Sequence, residues 1–187
     1  MILGITGTFA SGKDAVGEYL EKKGFEHYST GDEVFAIAQE KGIEPTRDNL
    51  RELANKLRDK YGPEYLSRRI MENKVKTDKV VVAGLRQPGE IKYLQKFPDF
   101  YLIAVDAPVE LRFKRMRKRA RPGDPKTIDA MIEKERKEME SKSKNAQKIH
   151  ECMMMADYKI INDGTFEQLN KKVDAILDEI KKKKGGK

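Results

Sequence analysis

The sequence predicts an α/β fold, a three-layer sandwich in which helices cover both faces of a five-stranded parallel sheet. Strand-like and helix-like segments alternate along the 187 residues, and the four clearest strand segments are almost continuously apolar. Continuous apolar runs are typical of parallel strands that are covered on both faces. Alternation of strands and helices indicates βαβ crossovers. A chain of this length suits one domain with a full core.

The strand segments are short and rich in β-branched residues, and in chain order they are Ile2–Thr6, a weaker one at Phe25–Ser29, Val80–Ala83, Tyr101–Val105 and Tyr158–Ile161. The clearest helix is Asp48–Lys60, because its apolar residues recur at i, i+3, i+4 and i+7. Similar spacing predicts helices from the glycine-rich turn to Lys23, from Pro63 through Ile70, and over Val109–Arg119, Thr127–His150 and Phe166–Ile180. Together these segments predict one domain over residues 1–180, followed by a disordered lysine-rich tail at residues 181–187.

Composition excludes several classes of protein. No stretch approaches the roughly 18 consecutive apolar residues that a membrane-spanning helix needs, so no membrane partner is expected. The single cysteine, Cys152, excludes a disulfide framework and a cysteine zinc cluster. The apolar opening of the sequence is too short for a signal peptide. These features predict a cytoplasmic protein, and they carry no information on its oligomeric state.

The net charge of +8 is concentrated in one region. Residues 112–148 hold 14 Lys and Arg residues against 6 Asp and Glu residues, so the rest of the chain is neutral. A positive patch on a neutral body indicates an anionic partner such as a nucleotide or a nucleic acid. The alternative is a solvated helix face of the kind that heat-adapted proteins carry. Charge alone leaves both interpretations open.

Directly after the first strand comes a glycine-rich stretch that matches the phosphate-loop pattern GxxxxGK: Gly7, Thr8, Phe9, Ala10, Ser11, Gly12 and Lys13, followed by Asp14. The pattern requires this position between a strand and a helix. Glycines let successive backbone N–H groups converge on phosphate oxygens, and the helix N-terminus adds partial positive charge. The lysine reaches the β- and γ-phosphates. These eight residues are therefore predicted to bind the phosphates of a nucleotide such as ATP, and the alternative is an ordinary glycine-rich turn between a strand and a helix.

Asp14 departs from the common form of the pattern, in which a serine or threonine binds Mg²⁺. A carboxylate is a good ligand for a hard cation, so Asp14 is a candidate ligand of Mg²⁺. The alternative is a structural role, in which this first-turn acid complements the helix dipole. The metal role is favoured, and both roles stay open.

Further segments are similar to those of the P-loop nucleoside monophosphate kinases. The similarity is to adenylate-kinase-like and dephospho-coenzyme-A-kinase-like proteins, and to the kinase-like domain ahead of some deoxycytidylate deaminases. The stretch Tyr28–Asp32 resembles the STGD segment of adenylate kinases, where threonine touches the acceptor base and aspartate orders the water shell of the metal. The resemblance assigns these roles to Thr30 and Asp32. A structural alternative is that Ser29 or Thr30 caps the next helix.

The stretch Ala83–Pro88 resembles the DG-x-x-R segment of the same family, whose arginine holds the acceptor phosphate. The resemblance makes Arg86 a candidate for acceptor binding and catalysis, and a planar guanidinium suits a phosphate. Two positions depart from the family. Ala83 replaces the aspartate that supports Mg²⁺, and Phe35 stands where an arginine is usual. Asp14 is the candidate to replace the missing carboxylate.

The basic region at residues 112–148 resembles the lid of this family. Arg115 and Arg119 match its R-x-x-x-R element, in which one arginine packs on the donor base and the other stabilises charge on the transferring group. The resemblance thus implies catalytic roles for both, and it makes residues 121–125 the tip of the lid. Simple solvation is the favoured interpretation for Lys114, Arg117 and Lys118.

The resemblance implies a phosphotransferase that moves the γ-phosphate of ATP, with Mg²⁺, to a small phosphorylated acceptor bound by the helices of residues 30–75. A (deoxy)nucleoside monophosphate is the favoured acceptor, and dephospho-coenzyme A is the alternative. A hypothesis from another class is a nucleotide-binding or RNA-associated module with weak or no transfer activity. The departures at Phe35 and Ala83 favour this module, although nucleic acid is the less favoured partner. The patterns do not identify the base or sugar of the acceptor.

Overall fold

The computed structural model describes residues 1–120, 123–139 and 147–185. In chain order the elements are β1 (Ile2–Gly7), α1 (Lys13–Lys22), β2 (Glu26–Ser29), α2 (Thr30–Glu40), α3 (Arg47–Tyr61), α4 (Tyr65–Asn73), β3 (Val80–Leu85), α5 (Pro88–Leu94), β4 (Phe100–Asp106), α6 (Val109–Arg119), α7 (Ile128–Met139), α8 (Ile149–Met154), β5 (Tyr158–Ile161) and α9 (Phe166–Gly185). The five strands form one parallel sheet in the order β2-β3-β1-β4-β5. The predicted α/β sandwich is confirmed.

Helices cover both faces of the sheet, which explains why the central strands are apolar along their whole length. On one face, the strands pack against α1 and α9 in a core that includes Leu3, Ile5, Val16, Leu20, Val81, Ile103, Val105, Val173 and Leu177. On the other face, they pack against α4, α5 and α8 in a core that includes Ile70, Val80, Val82, Ile91, Leu102 and Cys152. Burial raises the pKa of the Cys152 thiol, so this lone cysteine is a protonated core residue.

Helices α2, α3 and α4 form a smaller core of their own beside the sheet. It consists of Val34, Ile37, Ala38, Leu53, Ala54, Leu57 and Leu66. The apolar stripe that predicts a helix at Asp48–Lys60 is buried here, and the observed α3 exceeds that prediction by one residue at each end. Ser29 is the N-cap of α2, because its hydroxyl accepts the backbone N–H groups of Gly31 at 3.1 Å and Asp32 at 3.4 Å.

Periodicity does not predict α5, which has only seven residues. The helix is specified by its N-terminus instead. Gln87 is the N-cap and forms a capping box with Glu90, and Pro88 occupies the first turn. The motif Gln-Pro-Gly-Glu was therefore the available signal for this helix.

The predicted helix Thr127–His150 is wrong as one continuous helix. The structure has α7 over Ile128–Met139 and a separate α8 that begins at Ile149, and residues 140–146 lie outside the described chain. Lys148, just before α8, donates its backbone N–H to the carbonyl oxygen of Arg86 at 2.7 Å. This contact with another part of the fold takes the place of a helical hydrogen bond.

The prediction of a disordered tail is also wrong over residues 181–185, because α9 continues to Gly185. Ion pairs along the helix support its last turns: Lys181 with Asp178, and Lys183 with Glu179. Residues 186–187 lie outside the described chain.

Within the described residues, no helix combines the length and the apolar composition that crossing a bilayer requires.

A buried carboxylate joins α2 to α4. Glu33 is only 2% exposed, and it forms ion pairs with Arg69 and with Lys74, whose Nζ lies 2.5 Å from its oxygen. Burial by itself raises the pKa of Glu33, but the hydrogen bonds from Lys74 and Arg69 outweigh burial and hold this pKa below its usual value. The ionised carboxylate therefore stabilises the folded state.

Glu33→Gln is expected to lower the free energy of unfolding at neutral pH by about 1–3 kcal/mol, because two cations lose a buried partner. The folded-state pKa is lowered, so this contribution is complete above the unfolded-state pKa of about 4.5 and is lost as the pH falls through the folded-state pKa. Urea unfolding at neutral pH and at about pH 3 measures the difference. Glu52→Gln, at an exposed pair with Lys56, is the control. Equal losses in both variants, or a loss that does not shrink in acid, would contradict the assignment.

Candidate nucleotide-binding site

The phosphate loop connects β1 to α1 and requires its glycines at two positions. Gly7 and Gly12 have φ values of +144° and +99°, which side-chain-bearing residues rarely adopt. A Cβ atom on Gly7 would lie 1.9 Å from the carbonyl oxygen of Val105, and one on Gly12 would lie 2.3 Å from the Asn162 side chain. Lys13 begins α1 and folds back over the loop, where its Nζ donates to the carbonyl oxygens of Gly7 at 3.1 Å and Thr8 at 2.5 Å. The ammonium charge therefore lies beside the loop.

Three charged residues hold the outer side of the loop, and the sequence patterns do not identify two of them, Asp106 and Glu135. Asp106, at the end of β4, accepts the hydroxyl of Thr8 at 2.5 Å. Glu135 of α7 accepts the backbone N–H of Phe9 at 3.0 Å. Arg112 of α6 donates to the carbonyl oxygen of Phe9 at 3.2 Å and forms a buried ion pair with Glu135. The start of the predicted lid region therefore supports the loop.

Arg115 supports the inner side of the loop together with Asn162, which follows β5. The Arg115 guanidinium donates to the backbone oxygen of Asn162 at 3.0 Å and lies 3.5 Å from the carbonyl oxygen of Ser11. The Asn162 amide donates to the same Ser11 oxygen at 2.8 Å. Burial lowers the pKa of Arg115, but an arginine stays charged at any physiological pH. The strand-end turn at residues 162–165 also has a structural role, since Thr165 and Gln168 form a reciprocal cap at the start of α9.

A cleft of about 750 Å³ opens between the phosphate loop and helices α2 and α3. Its lining includes many of the predicted site residues: Phe9, Ala10, Gly12, Lys13, Asp14, Thr30, Asp32, Arg86 and Arg119. The remaining four lie outside this lining, and they are Gly7, Thr8, Ser11 and Arg115. The first three form the back of the loop, and Arg115 contacts the loop from outside the cleft.

The acceptor side of the cleft is built on the end of β3. Gly84 forms a bulge in the pairing of β1 with β3, with a φ of +78°, and its carbonyl oxygen accepts the Thr30 hydroxyl at 2.6 Å. Arg86 follows, and its backbone N–H donates to Glu90 at 2.9 Å while its guanidinium lies 3.4 Å from the Gln147 side chain. The hydroxyl proton of Thr30 is therefore engaged by the backbone, and the Arg86 side chain reaches the cleft.

Phe9 joins the two sides of the cleft mouth. The guanidinium of Arg47, at the start of α3, lies 3.6 Å from the centre of the Phe9 ring, and that of Arg119 lies 5.2 Å from it. Arg119 also approaches Asp124 at 3.5 Å. Arg47 was not identified from the sequence, where no motif distinguishes it from other helix-starting arginines. Residues 121–122, in the predicted lid tip, lie outside the described chain.

Among the carboxylates that line the cleft, Asp14 and Asp32 suit Mg²⁺. Mg²⁺ in phosphotransfer sites is held by one or two carboxylates together with phosphates and water, so this donor set fits the ion. Ala83, at the position where the resembled family has an aspartate, is buried in the core of the sheet. No group of three or more His, Cys, Asp or Glu side chains that could hold a metal occurs within the described residues.

Known proteins resemble this chain in sequence and in fold. A protein-family model described as an AAA domain matches residues 3–142. A UPF0200 protein of Pyrococcus abyssi is 33% identical over an alignment of 187 positions, which covers 96% of this chain and 97% of that protein. The solved structure of shikimate kinase from Acinetobacter baumannii in complex with shikimate superposes with a TM-score of 0.59 at 18% identity. The matched region covers 95% of this chain and 93% of the shikimate kinase chain. A gluconokinase from Sinorhizobium meliloti has a TM-score of 0.52 at 16% identity, with coverages of 95% and 91%.

At these identities, the likeness to the solved kinases shows the fold alone, and that fold is the one of P-loop kinases. It agrees with the phosphate loop between β1 and α1 and with the all-parallel sheet. The chain therefore belongs to the UPF0200 family, with an AAA domain over residues 3–142 and a P-loop kinase fold.

Proposed function

We propose that the protein is an ATP-dependent kinase that transfers the γ-phosphoryl group of ATP to a nucleotide or a nucleotide-like acceptor. One observation carries this proposal. Among the residues that line the cleft are the cations Lys13, Arg86 and Arg119 and two carboxylates, Asp14 and Asp32, that suit Mg²⁺. Phosphoryl transfer needs little covalent chemistry from a protein, and it depends on positioning and on neutralisation of charge. The cleft is suited to both.

The donor phosphates are assigned to the loop at Gly7–Lys13. Backbone N–H groups at the start of α1 and the helix dipole favour anions there. Lys13, which now contacts two loop carbonyls, exchanges these contacts for the β- and γ-phosphates when ATP binds. Arg115 keeps the loop in shape through Ser11 and Asn162, so its role is positioning.

The acceptor is assigned to the side of the cleft formed by α2, α3 and the end of β3. Arg86 is placed to hold its anionic group, and Thr30 lines the wall beside it. An acceptor oxygen attacks the γ-phosphorus as the bond to the β–γ bridging oxygen breaks, which leaves ADP. Arg119 is placed to stabilise the charge of the group in transit.

Asp14 and Asp32 are the residues that would hold Mg²⁺ in this cleft. The ion would supply neutralisation of charge on the donor phosphates. Asp14 follows Lys13 directly in the first turn of α1, so its carboxylate lies beside the phosphate loop. Its negative charge would weaken ATP binding if no cation balanced it.

Asp14→Asn is expected to weaken ATP binding about tenfold in the presence of Mg²⁺, by analogy with other losses at metal sites. Binding of metal-free ATP is expected to be unchanged or stronger, because a negative charge is removed. Asp14→Ser is expected to recover part of the Mg²⁺-dependent affinity, since a hydroxyl is the common ligand at this position. Calorimetry with ATP, with and without Mg²⁺, measures both. Equal effects under the two conditions would leave only the helix-dipole role.

The direct test of the proposed function is turnover. The protein is incubated with ATP and Mg²⁺ and, in separate reactions, with each nucleoside monophosphate, dephospho-coenzyme A, shikimate and gluconate, and new phosphorylated products are sought. We expect transfer to a nucleotide or nucleotide-like acceptor, and no transfer without Mg²⁺. Transfer to shikimate or gluconate alone would contradict the acceptor class.

The competing function is an RNA-associated module that binds nucleotide without transfer. Its support is the outer face of α6, where Lys114, Arg117 and Lys118 are exposed. RNA binding that weakens steeply with salt, together with no transfer to any acceptor, would favour this module over the kinase.

A further inference from the structure

Arg58 of α3 lies in the wall of the cleft, although only 1% of the residue is exposed. Its Nε and Nη2 atoms donate to Oε1 of Glu90 at 3.2 and 2.9 Å. Its remaining nitrogen, Nη1, is buried and has no hydrogen-bond partner within the described part of the chain. The guanidinium therefore keeps one buried donor group unused beside the cleft.

An unused donor at such a place is unusual. Buried polar groups in folded proteins are almost always hydrogen-bonded, and leaving a charged one unsatisfied is strongly unfavourable. Glu90 does not accept a hydrogen bond from Nη1. Its second oxygen, Oε2, accepts the backbone N–H groups of Arg86 at 2.9 Å and Gln87 at 3.2 Å instead. Nη1 is thus available to donate a hydrogen bond to an oxygen atom of a ligand bound in the cleft.

The surroundings of Arg58 indicate the chemistry of that ligand. The backbone N–H of Arg86 donates to the same Glu90 carboxylate, and Arg86 also lines the cleft. With Glu90, the two arginines carry one net positive charge, which favours an anion. The cleft lining also includes a group of apolar residues: Val34, Phe35, Leu50, Ala54 and Leu66. Phe35 is 40% exposed, so it offers a flat surface to a ligand.

We propose that Arg58 binds a phosphate oxygen of the acceptor through Nη1, together with the side chain of Arg86. The inference rests on the proposed function and deepens it: the acceptor carries a phosphate beside an apolar or planar body that packs on Phe35. A guanidinium held by Glu90 is oriented before the ligand arrives, which lowers the entropy lost on binding. Its planar donors match the geometry of a phosphate.

Binding is tested without reliance on turnover, with inorganic phosphate as the probe. The protein carries isotope-labelled arginine and Lys13→Ala, so that the phosphate loop competes less for the anion, and the arginine Nε–H resonances are followed by NMR. We expect phosphate to shift the resonances of Arg58 and Arg86. In Arg58→Lys, which keeps the charge but loses the unused donor, the affinity read at Arg86 is expected to fall about tenfold or more. An unshifted Arg58 resonance, an unchanged affinity in Arg58→Lys, or a preference for acetate over phosphate would overturn the proposal.

Glu90→Gln is the matched control, because it weakens the same buried ion pair and keeps Nη1. If Arg58 only supports the fold, the two variants lower the melting temperature and also lower the phosphate affinity by the same factor. We expect both to lower the melting temperature, and Arg58→Lys alone to lose tenfold or more in affinity. The titration of the Arg58 resonance needs no change at position 58, so it decides the matter even if Arg58→Lys does not fold.

Turnover separates failure of this inference from failure of the proposed function. Where an acceptor is phosphorylated, we expect Arg58→Lys to raise the KM for that acceptor about tenfold while the KM for ATP stays the same. Turnover with an unchanged acceptor KM would overturn the role of Arg58 and leave the kinase intact. No turnover, with phosphate shifting the Arg58 resonance, would overturn the kinase and leave the anion site.

Discussion

Lys13→Ala is expected to remove nearly all phosphoryl transfer, with a loss in kcat of about 10²–10³-fold, comparable to removing one preorganised charge donor from a transition state. The expected loss of ATP affinity is about tenfold or more, because a charged hydrogen bond to phosphate is lost. The fold should change little, since the side chain is half-buried and its ammonium donates hydrogen bonds to two loop carbonyls. Calorimetry with ATP and Mg²⁺, together with the turnover assay, measures both losses.

The matched control for Lys13→Ala is Lys22→Ala, at the other end of the same helix. Lys22 is exposed in the last turn of α1 and lies outside the cleft lining. We expect its replacement to leave ATP binding and transfer unchanged. ATP binding by Lys13→Ala as tight as that of the unmodified protein would refute the assignment of the phosphate loop.

Arg119→Ala is expected to slow transfer about 10³-fold, as judged from the effects of arginines that stabilise transferring phosphoryl groups elsewhere. Its guanidinium lines the cleft near Phe9 and Asp124, so it is placed to act on charge that develops during transfer. The loss should appear in kcat, with little change in the affinity for ATP. Single-turnover kinetics with ATP and Mg²⁺ separate the two.

Three other basic residues of α6 provide the comparison. Lys114 and Arg117 are exposed, and their replacement by alanine should cost little transfer. Arg115→Ala should lower ATP affinity and stability in addition to the rate, because Arg115 holds Ser11 and Asn162 beside the loop. A nucleic-acid surface predicts a different pattern, in which each removal weakens RNA binding similarly and reduces the salt slope by about one. Small, equal losses across all four variants would contradict the lid assignment.

Features that depend on neighbours in the chain could be predicted from the sequence. The apolar runs of β1, β3 and β4 indicate parallel strands because both faces of the sheet are covered. The glycine and lysine positions of the phosphate loop follow from its backbone geometry, which a few consecutive residues determine. The stripe of α3 repeats within two turns of one helix, and its predicted bounds are within one residue of those observed.

Features that join distant parts of the chain were decided by the tertiary structure. Asp106 is hydrogen-bonded to Thr8, which is 98 residues away in the sequence, and Glu135 is hydrogen-bonded to Phe9, which is 126 residues away. No local pattern therefore identifies either carboxylate as a support of the loop. In the sequence, Arg58 and Glu90 look like ordinary surface charges. Only the packing of the folded chain shows that they form a buried ion pair in the wall of the cleft. The sequence by itself determined the sheet, the main helices and the phosphate loop, because periodicity and backbone conformation are local properties. The tertiary structure decided which charges face the cleft, because burial and hydrogen-bond partners depend on how separate elements pack.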